Sequence, residues 1–189
     1  MYKIPLVIFA GGKSSRMGRD KSQLAFGGYP SLSEYQYRRM CALFETVYLS
    51  AKSDKFDFEC HVLKDNYKVH SPLAGLVSAF EAIEAPEVFI LSVDAPFVDK
   101  YVIEKLIKEN TNEETVVIAE SPYGPEPLCA IYKRSILPEA KAMLARDQHR
   151  LTALLEKVKT KTVKFESNAP FLNLNHPEEY EEALKRLLL

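Results

Sequence analysis

Lys13, Arg16, Arg19 and Lys21 crowd one short segment with only Asp20 to offset them, directly after the glycine pair Gly11 and Gly12. Glycines at the end of an apolar run let the backbone take positive φ and approach a ligand closely. Exposed N–H groups and nearby cations then suit phosphate. A plain turn needs glycine, but it does not need four cations. Further along, Asp94 closes the apolar run "VFILSVD" and is followed by Ala95 and Pro96. Proline turns the chain away and leaves the carboxylate at a sheet edge, where a hard oxygen ligand can hold Mg²⁺ against a phosphate. The competing reading is a carboxylate that caps the next turn.

Two familiar phosphate loops do not fit. A P-loop, G-x-x-x-x-G-K-[ST], would align its last letters with Gly12, Lys13 and Ser14, but its first glycine would then fall on Val7 inside the apolar run. The dinucleotide fingerprint G-x-G-x-x-G fails because Gly11 and Gly12 are adjacent rather than spaced. Hydride transfer on a dinucleotide is therefore disfavoured.

The elements that must position these residues follow from periodicity. Ile4 to Phe9, Thr46 to Ala51, Cys60 to Leu63, Val88 to Val93, Thr115 to Ala119 and Leu128 to Tyr132 read as strands, most of them buried on both faces. Leu32 to Leu43, Leu73 to Ile83, Tyr101 to Glu109, Ser135 to Arg146, Leu151 to Val158 and Pro177 to Leu189 carry helical spacing. This alternation predicts an α/β fold, a Rossmann-like three-layer α/β/α sandwich on a mostly parallel sheet. Ligands in such sheets sit beyond the carboxyl ends of strands, which directs attention to Ala10 onward, Ser50 onward and Asp94. "ESPYGPEP", Glu120 to Pro127, reads as a Pro- and Gly-rich loop over that edge.

The 189 residues are expected to form one domain. An apolar fraction of 47% and a charged fraction of 27% lie near globular averages. A net charge of -1 argues against holding nucleic acid by bulk electrostatics, so an anion site must be local. Cys41, Cys60 and Cys129 lack C-x-x-C spacing and read as reduced, small apolar residues. No stretch reads as a membrane span or a cleaved leader, so the expected location is the cytoplasm.

"FAGGKSSRMGRDK" resembles the L-A-G-G-x-S-x-R-M-G-x-D-K signature of the molybdenum cofactor guanylyltransferases, the MobA family of nucleotidyltransferases, with Phe9 in place of Leu. "SPLAGLVSAF", "LSVDAPFV", "EPLCAIYKR" and "FLNLNHPEEY" resemble further family segments in family order, spanning nearly the whole chain. One segment departs: many members have N-x-N after the second strand, whereas this chain has Ser50, Ala51 and Lys52. Weaker discrimination of guanine from adenine is the expected consequence if that Asn matters.

The resemblance implies a nucleotide-diphospho-sugar transferase type of fold, nucleotide-binding in its N-terminal part and pterin-binding in its C-terminal part. It also implies GMP transfer from GTP to the phosphate of molybdenum-molybdopterin with Mg²⁺, giving molybdopterin guanine dinucleotide and pyrophosphate. Phe9, Ala10, Gly11 and Gly12 would lie along the nucleotide, Arg16 and Lys21 would meet the triphosphate, and Asp94 would hold the metal. Ser50, Asp65 and Asn175 would be further nucleotide or metal contacts, although Asp65 can equally form a turn and Asn175 can equally cap the last helix. Tyr123, Arg146 and Arg150 are candidates for a pterin site, with a solvated helix end the stronger reading of the two arginines. Partner proteins would deliver molybdopterin or accept the finished cofactor, with no nucleic acid or membrane involved. CMP transfer to molybdopterin, NMP transfer to a sugar or polyol phosphate, and a non-catalytic nucleotide-binding regulator are the alternatives; fold alone does not separate the first two.

Overall fold

Apolar runs short enough to be strands alternate with amphipathic segments, and the chain folds by burying both faces of the resulting sheet. The computed structural model describes residues 1–11 and 20–187. Strands β1 (Leu6–Phe9), β2 (Val47–Ala51), β3 (His61–Lys64), β4 (Glu87–Ser92), β5 (Val116–Ser121), β6 (Gly124–Lys133) and β7 (Thr160–Lys164) form one sheet in the order β3-β2-β1-β4-β6-β5-β7. The β1–β2, β1–β4, β2–β3 and β5–β7 pairs are parallel, and β6 runs antiparallel to both β4 and β5.

Successive strand residues point to opposite faces, so β1 divides its side chains between two cores. Leu6 and Ile8 join one core with residues of α1 (Leu32–Cys41), α3 (Lys100–Glu109) and α6 (Pro177–Arg186). Val7 and Phe9 join the other with α2 (Pro72–Ala82), α4 (Leu137–Ala145) and α5 (Leu151–Leu155). The expected three-layer sandwich is thus present. Side chains at the N-caps start three of these helices: Ser31 accepts from the Glu34 N–H, Ser71 from Ala74 and Asp99 from Val102.

Two expectations need correction. Glu120 to Pro127 is not a loop: Glu120 and Ser121 finish β5, and β6 starts at Gly124 after a tight turn. The prolines misled because they remove ladder donors, but β6 pairs with β4 only as far as Cys129, so Pro125 and Pro127 sit where no β4 partner needs an N–H. Second, "TKTVK" forms β7, which periodicity did not flag. It pairs on one side only, against β5, and its lysines suit an exposed edge.

Candidate active site

The carboxyl ends of β1, β2, β3 and β4 open onto one cleft of about 480 Å³, within the usual range for a small-molecule site. Phe9, Ala10, Gly11, Lys21, Ser50, Asp65, Asp94 and Asn175 all line it. Gly12 and Arg16 lie outside the described residues. Sheet order explains the convergence of distant segments. β1 is central, flanked by β2 and β4 in register, so Phe9 stands beside Ser50 on one side and Ser92 on the other.

Lys21, Asp94 and Asn175 form the polar centre. The Lys21 ammonium is ion-paired with Asp94 Oδ2 and donates to Asn175 Oδ1 at 3.0 Å. Ser92 Oγ donates to the other Asp94 oxygen, Oδ1. The Asp94 carboxylate thus lines the cleft, and the N-cap of the following helix is Asp99. The C-terminal segment is tied in through its backbone: Leu174 N–H donates to the Asp94 carbonyl at 2.9 Å. Glu179 Oε2 accepts from the N–H groups of Asn175 and His176 at 2.6 and 2.9 Å. His176 is the N-cap of α6, which leaves the Asn175 side chain for Lys21.

Lys21 begins a single 3₁₀ turn, Lys21–Gln23, whose N-cap is Asp20. Asp20 Oδ1 accepts from Ser22 N–H at 3.0 Å and from Ser22 Oγ at 2.7 Å. Burial raises the Asp20 carboxyl, but hydrogen bonds from Lys55 and Ser22 and the Lys55 charge outweigh it and hold the carboxyl below its ordinary value. A lowered carboxyl stabilises the fold fully above the unfolded value of 3.8, and that contribution is lost as pH falls through the lower folded value.

Asp65 combines both of its sequence readings. Its Oδ1 accepts from Tyr67 N–H at 3.1 Å, forming a turn, and from Ser78 Oγ at 3.0 Å, while Oδ2 pairs with Lys52 at 2.7 Å. A carboxylate offers about four acceptor positions, so three protein partners leave Asp65 room for one N–H or O–H of a ligand.

The glycine argument also changes. Positive φ occurs at Gly27, Gly28 and Gly124 but not at Gly11. A Cβ built on Gly11 would meet only ordinary contacts, Ala51 Cα and Ser50 O at 3.7 Å, so what Gly11 provides is clearance on the cleft side. Gly75 is different: a Cβ there would lie 3.2 Å from Phe9 Cε2, so the small residue in "SPLAGL" makes room for the ring that floors the cleft.

Several site-supporting residues were not anticipated. Gln36 is fully buried in α1, and its amide donates to the Ala95 carbonyl at 3.0 Å, with the Ser92 and Val93 carbonyls at 3.4 and 3.5 Å. Arg39, one turn later, donates to the carbonyls of Pro96 and Val98 and to Gln36 Oε1. Together they brace the turn that carries Asp94. A polar pair at i, i+3 on a core-facing helix was the available signal. Gln36→Leu removes these donors without changing bulk much, leaving buried carbonyls unpaired at a cost of ~1–3 kcal/mol. The expected result is a lower melting temperature together with a kcat reduced about tenfold, as a misplaced catalytic group would give. Thermal denaturation and steady-state kinetics on the same preparation check it; unchanged kcat would refute the bracing role.

A second cleft of about 500 Å³ adjoins the first and shares Asn175 with it. Phe97, Tyr123, Glu126, Phe171 and Asn173 contribute to its wall. Tyr123 is 86% exposed at the tip of the β5–β6 hairpin. Burial and the charge of Asp94 raise the Glu126 carboxyl above its ordinary value, against a lowering hydrogen bond from Ser121. Arg146 and Arg150 sit exposed between α4 and α5 and line neither cleft.

The donor set at the junction fits a hard divalent cation. The Asp94 carboxylate and the Asn175 amide oxygen are both oxygen donors, and they already share one cationic group in Lys21. Mg²⁺ characteristically takes one or two carboxylates and completes its shell with water and substrate phosphate. Among the described residues, no cluster of three or more His, Cys, Asp or Glu is placed to hold a metal. All three cysteines are free, Cys129 buried and Cys41 and Cys60 half-buried against the core, as expected from their spacing. No helix among the described residues is long and apolar enough to cross a membrane.

Comparison with known proteins places the chain in a family and a fold. A molybdenum cofactor guanylyltransferase of Campylobacter jejuni subsp. doylei is 38% identical over 184 residues, covering 96% of each chain. One from Helicobacter pylori J99 is 33% identical, covering 97% of this chain and 90% of the relative. The crystal structure of molybdopterin-guanine dinucleotide biosynthesis protein A from Archaeoglobus fulgidus superposes with a TM-score of 0.84 at 20% identity, covering 97% and 98% of the two chains, and so shares the fold. The model of the MobA-like NTP transferase domain matches residues 6–163. The chain belongs to this family of MobA-like NTP transferase domains and is a nucleotidyltransferase enzyme.

Proposed function

We propose that the chain transfers GMP from GTP to the terminal phosphate of molybdenum-molybdopterin, yielding molybdopterin guanine dinucleotide and pyrophosphate. The observation that carries this reading is the placement of Lys21 and Asp94 in the first cleft, with Lys21 bonded to Asn175, the residue that both clefts share; on this reading each cleft takes one substrate. The relatives named as guanylyltransferases supply the choice of base and acceptor.

An acceptor phosphate oxygen attacks the α-phosphorus of GTP, the bond to the β-phosphate oxygen breaks, and the electron pair leaves with pyrophosphate. Such transfer depends mainly on positioning and charge neutralisation, so no nucleophilic side chain is needed. The open face at Gly11 and the ring of Phe9 seat the nucleotide; Lys21, with Arg16 from the glycine-rich segment, meets negative charge on the phosphates. Mg²⁺ held by Asp94 and Asn175 would supply Lewis-acid polarisation of the phosphate. The second cleft, with the exposed Tyr123 ring, takes the pterin, and the whole chain acts as one domain in the cytoplasm with molybdopterin-delivering and molybdoenzyme partners. Purified protein mixed with molybdopterin, Mg²⁺ and each nucleoside triphosphate in turn is expected to release pyrophosphate with GTP foremost. Release with none of them, or with CTP alone, would overturn the proposal.

A further inference from the structure

The stretch after β2 carries two lysines that the reaction does not use directly, and each grips a different wall of the nucleotide cleft. Lys52 Nζ pairs with Asp65 at 2.7 Å, donates to the Val69 carbonyl at 2.8 Å and also donates to the Tyr67 carbonyl. It thereby ties the segment after β3 to the end of β2. Lys55 Nζ turns the other way. It donates to the Ala10 carbonyl at 2.9 Å and to Ser22 Oγ at 2.8 Å, and it pairs with Asp20. Ala10 precedes the glycine pair and Asp20 precedes Lys21, so one ammonium joins the two stems of the cationic segment.

We propose that Lys52 and Lys55 are paired positioning residues that bracket the cleft, Lys52 setting its base end and Lys55 its phosphate end. The inference rests on the reading of this cleft as the nucleoside triphosphate site. Sheet geometry separates the two ends. Asp65 follows β3 and Asp94 follows β4, three strand spacings apart in the order β3-β2-β1-β4, which is roughly 14 Å. With the phosphates at Lys21 and Asp94, the base reaches toward Asp65.

Charge also distinguishes the bracket from incidental surface pairing. Each ammonium has three donors, and each is matched to three oxygens, those on Lys52 all from the segment of Asp65, Tyr67 and Val69, those on Lys55 from Ala10 and from the Asp20 and Ser22 turn. Neither Lys52 nor Lys55 is widely exposed, with side chains 27% and 24% accessible. Lys52 itself lines the cleft, one residue past the end of β2. Its hold on Asp65 Oδ2 decides which acceptor position Asp65 presents to a ligand.

The test is equilibrium binding of GTP and ATP to the full chain, by calorimetric titration, for the wild type, Lys52→Met, Lys55→Met and Lys55→Arg. Lys52→Met should narrow the ratio between GTP and ATP affinity by about tenfold, the scale of a lost charge-assisted contact. Lys55→Met should weaken both nucleotides by a common factor of about ten and leave their ratio intact. Lys55→Arg, which keeps the charge, should recover most of that loss. Melting curves accompany each variant; a fall in melting temperature with both ratios and affinities moving together in both lysine variants would mean a general structural role and would overturn the proposal. If the wild type binds GTP but the variants match it, the bracket fails alone. If the wild type shows no preference between GTP and ATP, the role of Lys52 fails, and if it binds neither, the reading of the cleft fails and takes the bracket with it.

Discussion

Replacing Asp94 by alanine is expected to abolish Mg²⁺-dependent pyrophosphate release while leaving the fold intact. The carboxylate lines the first cleft just past the end of β4 and pairs with Lys21, which also reaches Asn175. Its loss removes the charged oxygen ligand that would hold a divalent cation, an effect of several kcal/mol on phosphoryl transfer and hence ~10³-fold or more in kcat. Folding should survive because the Asp94 backbone, not its side chain, anchors Leu174, and because Gln36 braces the turn through the neighbouring carbonyls. Asp94→Asn is the companion variant, since its amide oxygen can still accept from Ser92. Steady-state pyrophosphate release as a function of Mg²⁺, with circular dichroism as the folding control, reads both. Undiminished turnover in the alanine variant would show that the metal is held elsewhere.

Lys21→Met is expected to lower kcat/KM by ~10²–10³, the range found when one preorganised charge-stabilising donor is removed. Methionine keeps the stem and removes the ammonium, so packing changes little. Lys21 is engaged with Asp94 and Asn175, and in the reaction its charge would be directed at the phosphates. Lys21→Arg should restore only part of the loss, because a planar guanidinium does not replace a compact ammonium between those two oxygens. The measurement is kcat and KM for GTP at saturating acceptor. Full activity in Lys21→Met would assign the phosphate contact to other cations.

How much of this was legible beforehand depended on whether the signal was local. Buried strands with β-branched and aliphatic runs, such as Val88 to Leu91, and helices with capping residues, such as Ser71-Pro72, announce themselves within a few residues. Asp94 was visible because it closes an apolar run, and Lys21 because it belongs to the cationic stretch after the glycine pair. β7 was not, because its burial is supplied by one neighbour and its lysines mimic a loop. The first half of β6 was hidden by its prolines, which are tolerated because β4 pairing stops at Cys129 and this half has β5 alone as its neighbour. Gln36 reads as a neutral helix residue until the turn carrying Asp94 is brought against it.

The sequence by itself determined the fold class, the chemical character of the glycine-rich segment and the identities of the residues that could meet a phosphate, because composition and short-range period are properties of neighbours along the chain. Only the tertiary structure decided that Asn175 points to Lys21 and does not cap α6, that Asp65 has one acceptor position left, and that Lys52 and Lys55 face opposite walls. Those are relations between residues up to 154 positions apart, set by strand order and by which carbonyls a buried amide or ammonium must satisfy.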